Sequence, residues 1–196
     1  MSARDEVLGR VHRALADAPS APPVPRDYRS APVPDIDVLG LFADRVADYQ
    51  ATVVRCTEAD VAAQIAVALD GARAVVPPDL PWEVAGSVLD TGLSSAELDA
   101  TEAVVTAAAV GIAVTGTIVL DHGPGQGRRA LSLVPDLHVC VVRADQVRYG
   151  VPEAVAALDP ARPQTWISGP SATSDIELDR VEGVHGPRTL RVVLVG

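Results

Sequence analysis

Lysine is missing from this chain: all sixteen of its positive residues are arginine. That excludes Schiff-base chemistry on a lysine, and it excludes a P-loop, whose phosphate-binding lysine has no counterpart. Cysteine is nearly missing too. Cys56 and Cys140 are the only two, each in or beside a valine-rich run, and both read as small buried apolar residues. No Cys pair or Cys/His cluster has ligand spacing, so neither a zinc nor an iron–sulfur site is expected in this chain. Aromatic residues make up 3%, which leaves the core to aliphatic packing and makes Trp82 and Trp166 packing residues. No apolar run reaches the ~18–20 residues that a membrane helix needs. The longest candidate, 103–120, is broken by Thr106, Gly111 and the Thr115-Gly116-Thr117 triplet. Positive charge is short as well: 16 cations against 26 anions leave a net charge of −10. Phosphate neutralisation needs clustered cations, so this balance argues against nucleic acid as the main partner. The opening Met-Ser-Ala-Arg-Asp-Glu sets acids beside its arginine with no apolar stretch after it, unlike a signal peptide. The expectation is a soluble, cytoplasmic protein.

What is present suits one domain with a real core: 196 residues, 48% of them hydrophobic. Val7, Leu8, Val11 and Leu15 recur at helical spacing within 2–17, and six prolines fill 19–34 without apolar periodicity. Residues 1–35 therefore read as an N-terminal helix plus a proline-rich arm, and 36–196 as the main domain. In that domain the pattern predicts helices over 37–49, 58–69 and 152–158. It predicts strands over 52–56, 73–76, 86–89, 103–106, 111–120, 137–143 and 165–168, with 189–195 closing the sheet. Strand and helix alternate at short intervals, which predicts an α/β fold with a parallel or mixed central sheet flanked by helices.

Three stretches carry chemistry. The first is Asp121-His122-Gly123-Pro124-Gly125-Gln126-Gly127-Arg128-Arg129. Glycine at alternate positions lets backbone N–H groups turn toward one anion, two arginines can clamp a carboxylate or phosphate bidentately, and His122 is a candidate proton-transfer group. A hairpin turn with surface arginines is the plainer alternative. The second, Ile167 to Glu177, runs a strand into Ser168-Gly169-Pro170-Ser171 and on through Thr173, Asp175 and Glu177. It reads as a helix start capped by Ser171 or Thr173, or as an anion or hydroxyl site at a strand's carboxyl edge. The third sets His185 between two glycines and before Pro187-Arg188. It is either an exposed turn or a general base. Ser171, His185 and Asp175 have the alphabet of a hydrolytic triad, but a triad is defined by geometry. His138, between Leu137 and Val139, reads as a satisfied core histidine.

Four stretches occur together and in order: Thr115 to Leu120; Gly125 to Arg129 with Leu131 to Pro135; Ile167 to Glu177; and Gly183 to Arg188. In this combination the C-terminal half resembles the lactate-utilisation protein C family and its LUD domain. The resemblance implies a Rossmann-like fold related to the sugar-phosphate isomerase and CoA-transferase group. It implies an accessory or ligand-binding role in oxidising L-lactate to pyruvate, beside partner subunits that carry iron–sulfur clusters, with no cofactor in this chain. The residues read as ligand-binding from the three stretches and the matching segments are Thr115, Gly116, Thr117, Gly123, Gly125, Gln126, Gly127, Arg128, Arg129, Ser168, Gly169, Ser171, Thr173, Asp175 and Glu177; on the reading as an enzyme, His185 and His122 are the proton-transfer groups. One position departs: the family usually has glutamate before the Thr-Gly pair, and this chain has Val114. Valine removes the only charge there, which points either to binding without catalysis or to a different ligand. Two further readings stay open. One is an enzyme acting on a small phosphorylated or acyl substrate through the glycine loop; the other is a structural or regulatory domain.

Overall fold

The computed structural model describes residues 2–20, 22–25, 35–170, 172–173, 181–183 and 185–196. The chain divides into two compact units, Met1–Ala31 and Pro32–Gly196. In the first, helix α1 (Ala3–Ala14) opens on a reciprocal capping box: Ser2 Oγ accepts the Asp5 N–H at 3.2 Å and Asp5 Oδ2 accepts the Ser2 N–H at 3.0 Å. None of its residues is buried, and its apolar stripe stays exposed.

The second unit is built on a six-stranded sheet in which every pairing is parallel. Its strands in chain order are β1 (Thr52–Cys56), β2 (Ala74–Val76), β3 (Val88–Leu89) and β4 (Ala103–Ala107), then β7 (Leu137–Arg143) and β12 (Thr189–Val195). Their spatial order is β1-β12-β7-β4-β2-β3. The last strand therefore lies inside the sheet, between β1 and β7, because it is apolar on both faces. A smaller sheet, β8-β5-β6-β9, comprises β5 (Val110–Ile112), β6 (Thr117–Leu120), β8 (Val147–Arg148) and β9 (Thr165–Ile167). A two-residue pair, β10 (Ala172–Thr173) with β11 (Val181–Glu182), is antiparallel. The helices of this unit are α2 (Val38–Asp48), α3 (Val61–Leu69), α4 (Ser95–Asp99) and α5 (Val151–Ala157).

Side-chain alternation along the parallel strands sorts the core into two layers. Val139 and Val141 of β7 and Val193 and Val195 of β12 pack with Val61, Ile65 and Leu69 of α3. Cys140, Val142, Leu190, Val192 and Leu194 face the other way, onto Phe42 and Val46 of α2 and Ile118 and Leu120 of β6. The small sheet thus acts as a lid on one face of the large one, and its outer side, Val110, Ile112 and Val119, is covered by Ala154 of α5. Helix α2 starts where the Asp37 carboxylate accepts the Gly40 N–H at 2.8 Å.

The single strand expected over 111–120 is a hairpin. The chain turns back through a short 3-10 segment, Ala113–Thr115, and Gly116 sits at φ 59°. A Cβ on Gly116 would lie 2.6 Å from the Arg45 carbonyl group at the end of α2, so only glycine permits this approach. The helix expected from 58 has its first turn, Glu58–Asp60, in 3-10 form. Ala172 and Thr173 are strand, so no helix begins directly after Ser171; positions 174–180 lie outside the described residues. Among the described residues no helix is long and apolar enough to cross a membrane.

Phe42 has no exposed surface and packs in the layer between the two sheets. Phe42→Ala is expected to lower the unfolding free energy by about 3–5 kcal/mol. Val7→Ala on exposed α1 should change it by about 0.5 kcal/mol or less. Urea denaturation followed by circular dichroism measures both.

Candidate functional site

The glycine loop is stapled to itself. Asp121 Oδ1 accepts the Gly123 N–H at 3.0 Å and Gln126 Nε2 at 2.9 Å, and Gln126 Oε1 accepts the Asp121 N–H at 2.6 Å. Arg162 holds the other carboxylate oxygen at 3.0 Å. Gln126 is buried and fills the loop's interior. Gly125 and Gly127 have φ of 71° and 69°. A Cβ would meet Ala107 and Pro81 at the first and Leu131 and Pro77 at the second. The glycines allow a tight turn to lie against the carboxyl ends of β2 and β4, with the Gly125 carbonyl accepting the Ala107 N–H at 2.8 Å.

The two arginines that close the loop diverge. Arg128 forks onto Asp90 through Nε and Nη2, at 2.7 and 2.9 Å, and also donates to the Leu93 carbonyl. Hydrogen bonding to Arg128 holds the Asp90 carboxyl below its ordinary range. Arg129 instead reaches back across the sheet. Its Nη1 donates to the Ser132 carbonyl and hydroxyl at 3.0 and 3.2 Å, and its Nη2 to the His185 carbonyl at 3.2 Å. These acceptors are neutral, and among the described residues no carboxylate pairs with it.

Arg129 borders a cleft of about 220 Å³ that is also lined by Ser132, His138, Thr165, Ser168, Gly169, His185 and Leu190. His138 and Leu190 are the second residues of β7 and β12. The cleft therefore opens at the amino ends of the parallel strands, and β9 and the Ser168-Gly169-Pro170 turn form its opposite wall. Ser168 is positioned by a chain of hydroxyls: Thr115 Oγ1 to Thr117 Oγ1 at 2.8 Å, and Thr117 Oγ1 to Ser168 Oγ at 2.9 Å.

His138 forms the floor. It is 1% exposed, and its Nε2 lies 2.7 Å from Thr106 Oγ1 on β4. Thr106 Oγ1 in turn donates to Cys140 Sγ at 3.7 Å. Burial, and secondarily the Arg129 charge, pushes the His138 pKa down from 6.5 to about 4. The ring is neutral at physiological pH. Burial pushes the Cys140 thiol up to about 12, which leaves it un-ionised.

A LUD domain family model matches residues 89–195, from β3 through β12. A Lactate utilization protein C of Deinococcus radiodurans is 50% identical over 206 aligned positions, which span 99% of this chain and 96% of that protein. The chain belongs to the LUD domain family. A Lactate utilization protein C of Bacillus subtilis is 32% identical over 102 positions, 46% of this chain and 41% of that protein. A crystal structure of a DUF162 family protein from Deinococcus radiodurans superposes with a TM-score of 0.71 at 44% identity, covering 81% of this chain and 96% of that one. The α/β architecture with a parallel central sheet is that of this LUD-domain neighbour. The matched LUD domain segment contains every cleft residue named above.

Within the LUD domain the expected site residues separate. Arg129, Ser168, Gly169 and His185 converge on the cleft. Arg128 does not, because Asp90 holds it. Gly123, Gly125, Gln126 and Gly127 build a packed turn and do not line the cleft. Thr115, Gly116 and Thr117 lie behind it, Gly116 against α2 and Thr117 bonded to Ser168. His122 is a strut: its Nδ1 donates to the Gly127 carbonyl at 2.9 Å, and its Nε2 lies 3.5 Å from Thr165 Oγ1. It meets the cleft only through Thr165. Val114 donates its N–H to the Tyr149 carbonyl at the hairpin turn and is not a cleft residue. Ser171, Asp175 and Glu177, with the side chain of Thr173, lie outside the described residues, as does any triad built on them. Cys56 is only half-buried, and Trp166, 42% exposed, edges the cleft instead of the core. His138 and Ser132 are the residues that sequence reasoning passed over. The signal for His138 was a polar residue next to the buried apolar run 139–142 of its strand.

His138 also makes stability depend on pH. Its folded pKa lies below the unfolded value, so the unfolded chain takes up a proton between about 6.5 and about 4 that the folded chain refuses. Stability from this group is complete above 6.5 and falls as pH drops toward 4, a loss of roughly 3 kcal/mol. Denaturant titrations at stepped pH should show this slope in the wild type and a flatter one in His138→Gln; equal slopes refute the assignment. Arg128→Ala, which strands Asp90, should lower stability by about 1–3 kcal/mol.

Proposed function

We propose that this protein serves L-lactate utilization as an accessory, ligand-binding subunit. On this reading it holds a small carboxylate in the Arg129 cleft and works beside iron–sulfur partner subunits that oxidise lactate to pyruvate. Residues 36–196 form the LUD domain, and residues 1–35 an appended arm.

One observation carries the reading: Arg129 places on the rim of a cleft a guanidinium that no carboxylate pairs with among the described residues, and whose protein acceptors are two carbonyls and a hydroxyl. Neutral acceptors orient a guanidinium without cancelling its charge. An arriving carboxylate does cancel it and gains charge-assisted hydrogen bonds. One guanidinium beside a neutral imidazole matches a monoanion better than a phosphate dianion. The pathway rests on the relatives' name, which one of them carries over nearly the full length of this chain. Iron–sulfur partner subunits are what the family resemblance implies; with two cysteines this chain does not itself supply the thiolates of a four-cysteine cluster.

L-lactate and pyruvate should raise the melting temperature of the full-length protein, approaching about 2.7 kcal/mol of stabilisation at a hundred times the dissociation constant. Arg129→Ala should abolish the shift and Arg128→Ala should retain it. Affinity purification from native cells grown on lactate should bring down iron–sulfur proteins. If neither acid shifts the wild type, the carboxylate reading is wrong; if no iron–sulfur protein co-purifies, the accessory role is wrong.

A further inference from the structure

We propose that the cleft is specific for 2-hydroxy acids: His138 Nδ1 accepts a hydrogen bond from the α-hydroxyl of a ligand whose carboxylate is anchored on Arg129. This rests on the carboxylate reading above and deepens it, because it specifies what the site requires on the carbon beside the carboxylate.

A chain of donors fixes where the ring proton sits. Thr106 has a single hydroxyl proton and gives it to Cys140 Sγ at 3.7 Å. The contact between Thr106 Oγ1 and His138 Nε2 is 2.7 Å; with the Thr106 proton on sulfur, the ring is its donor, and the tautomer is what the nitrogen NMR below reads. A neutral imidazole carries one N–H, so with the proton on Nε2 the other nitrogen, Nδ1, is a bare acceptor. Among the described residues nothing bonds Nδ1. Among the described residues no fully buried side-chain nitrogen or oxygen lacks a partner, so Nδ1 is not sealed inside the protein, and the cleft that His138 lines is where we place it. A ring that is almost wholly buried thus turns its unpartnered acceptor toward the cavity that Arg129 charges. Arg129 makes three hydrogen bonds to protein and has N–H groups to spare among the five of a guanidinium.

The consequence is discrimination. A 2-hydroxy acid offers an O–H to Nδ1. A 2-oxo acid offers a carbonyl oxygen, which sets two acceptors against each other. An unsubstituted acid offers nothing and leaves the acceptor without a partner. Lactate should bind about tenfold more tightly than pyruvate or propionate, the worth of one such hydrogen bond.

Isothermal titration of the full chain with L-lactate, pyruvate and propionate at pH 7.5, in the wild type and His138→Gln, tests this. Glutamine keeps an N–H for Thr106 but has no acceptor at the Nδ1 position. The expected result is lactate preference in the wild type, loss of that preference in His138→Gln, and propionate affinity unchanged. Equal binding of lactate and propionate by the wild type, tighter binding of pyruvate, or a preserved preference in His138→Gln overturns the inference while leaving the Arg129 anchor standing. Failure of all three acids to bind removes both. Side-chain nitrogen NMR of the wild type needs no variant: it should show the Nε2–H tautomer of His138, with the Nδ1 resonance moving on lactate addition. An Nδ1–H tautomer also overturns the inference.

Discussion

Residues 138–142 of strand β7 are buried on both faces, and the rest of the domain is arranged around that constraint. Parallel neighbours take up its backbone groups on both sides, β12 at one edge and β4 at the other. Val139 and Val141 need the α3 layer, and Cys140 and Val142 need the layer of α2 and the small sheet. A polar side chain on such a strand is tolerated only with a partner on the adjoining strand. His138 has one in Thr106, at 2.7 Å. The same pairing that lets the core close fixes which ring nitrogen faces outward.

The cleft's place results from how the chain crosses that core. Open α/β sheets usually bind ligands beyond the carboxyl ends of their strands. Here the carboxyl ends of β2 and β4 are occupied by the self-stapled glycine loop, packed on Pro77, Pro81 and Ala107. The segment after the loop carries Leu131 over the face of β2 and β4 on its way back to the start of β7. Arg129 lies on that return path and delivers its guanidinium to the amino ends, next to His185 and Ser132. Two adjacent arginines thereby acquire opposite roles. Arg128 locks the loop to Asp90, and Arg129 charges a cavity.

The element pattern was legible in the residues. The valine-rich stretches 139–142 and 192–195 read as strands buried on both faces. Alternation with α3 then implies parallel pairing. The hairpin within 111–120 was not legible, because its turn depends on Gly116 meeting the backbone of α2, a contact between residues about seventy positions apart in sequence. For the site, the turns around Arg129, Ser168 and His185 stood out by composition. Their separation from Arg128 and from the loop glycines did not, since neighbours in sequence share every local property. His138 was discounted because a lone histidine among valines satisfies the pattern of a core residue, and it is one; it is also a cavity wall.

Sequence alone determined the layers: which segments are buried on both faces, which helices are amphipathic, and that a permanently charged side-chain anchor for an anion is arginine, because there is no lysine. Local hydropathy and residue type suffice for that. Tertiary structure decided which of Arg128 and Arg129 pairs with a carboxylate among the described residues, at which end of the sheet the cavity opens, and which nitrogen of His138 looks into it. Those outcomes depend on distances between residues far apart in the chain, such as Arg128 to Asp90 and Thr106 to His138, and no local pattern encodes a distance.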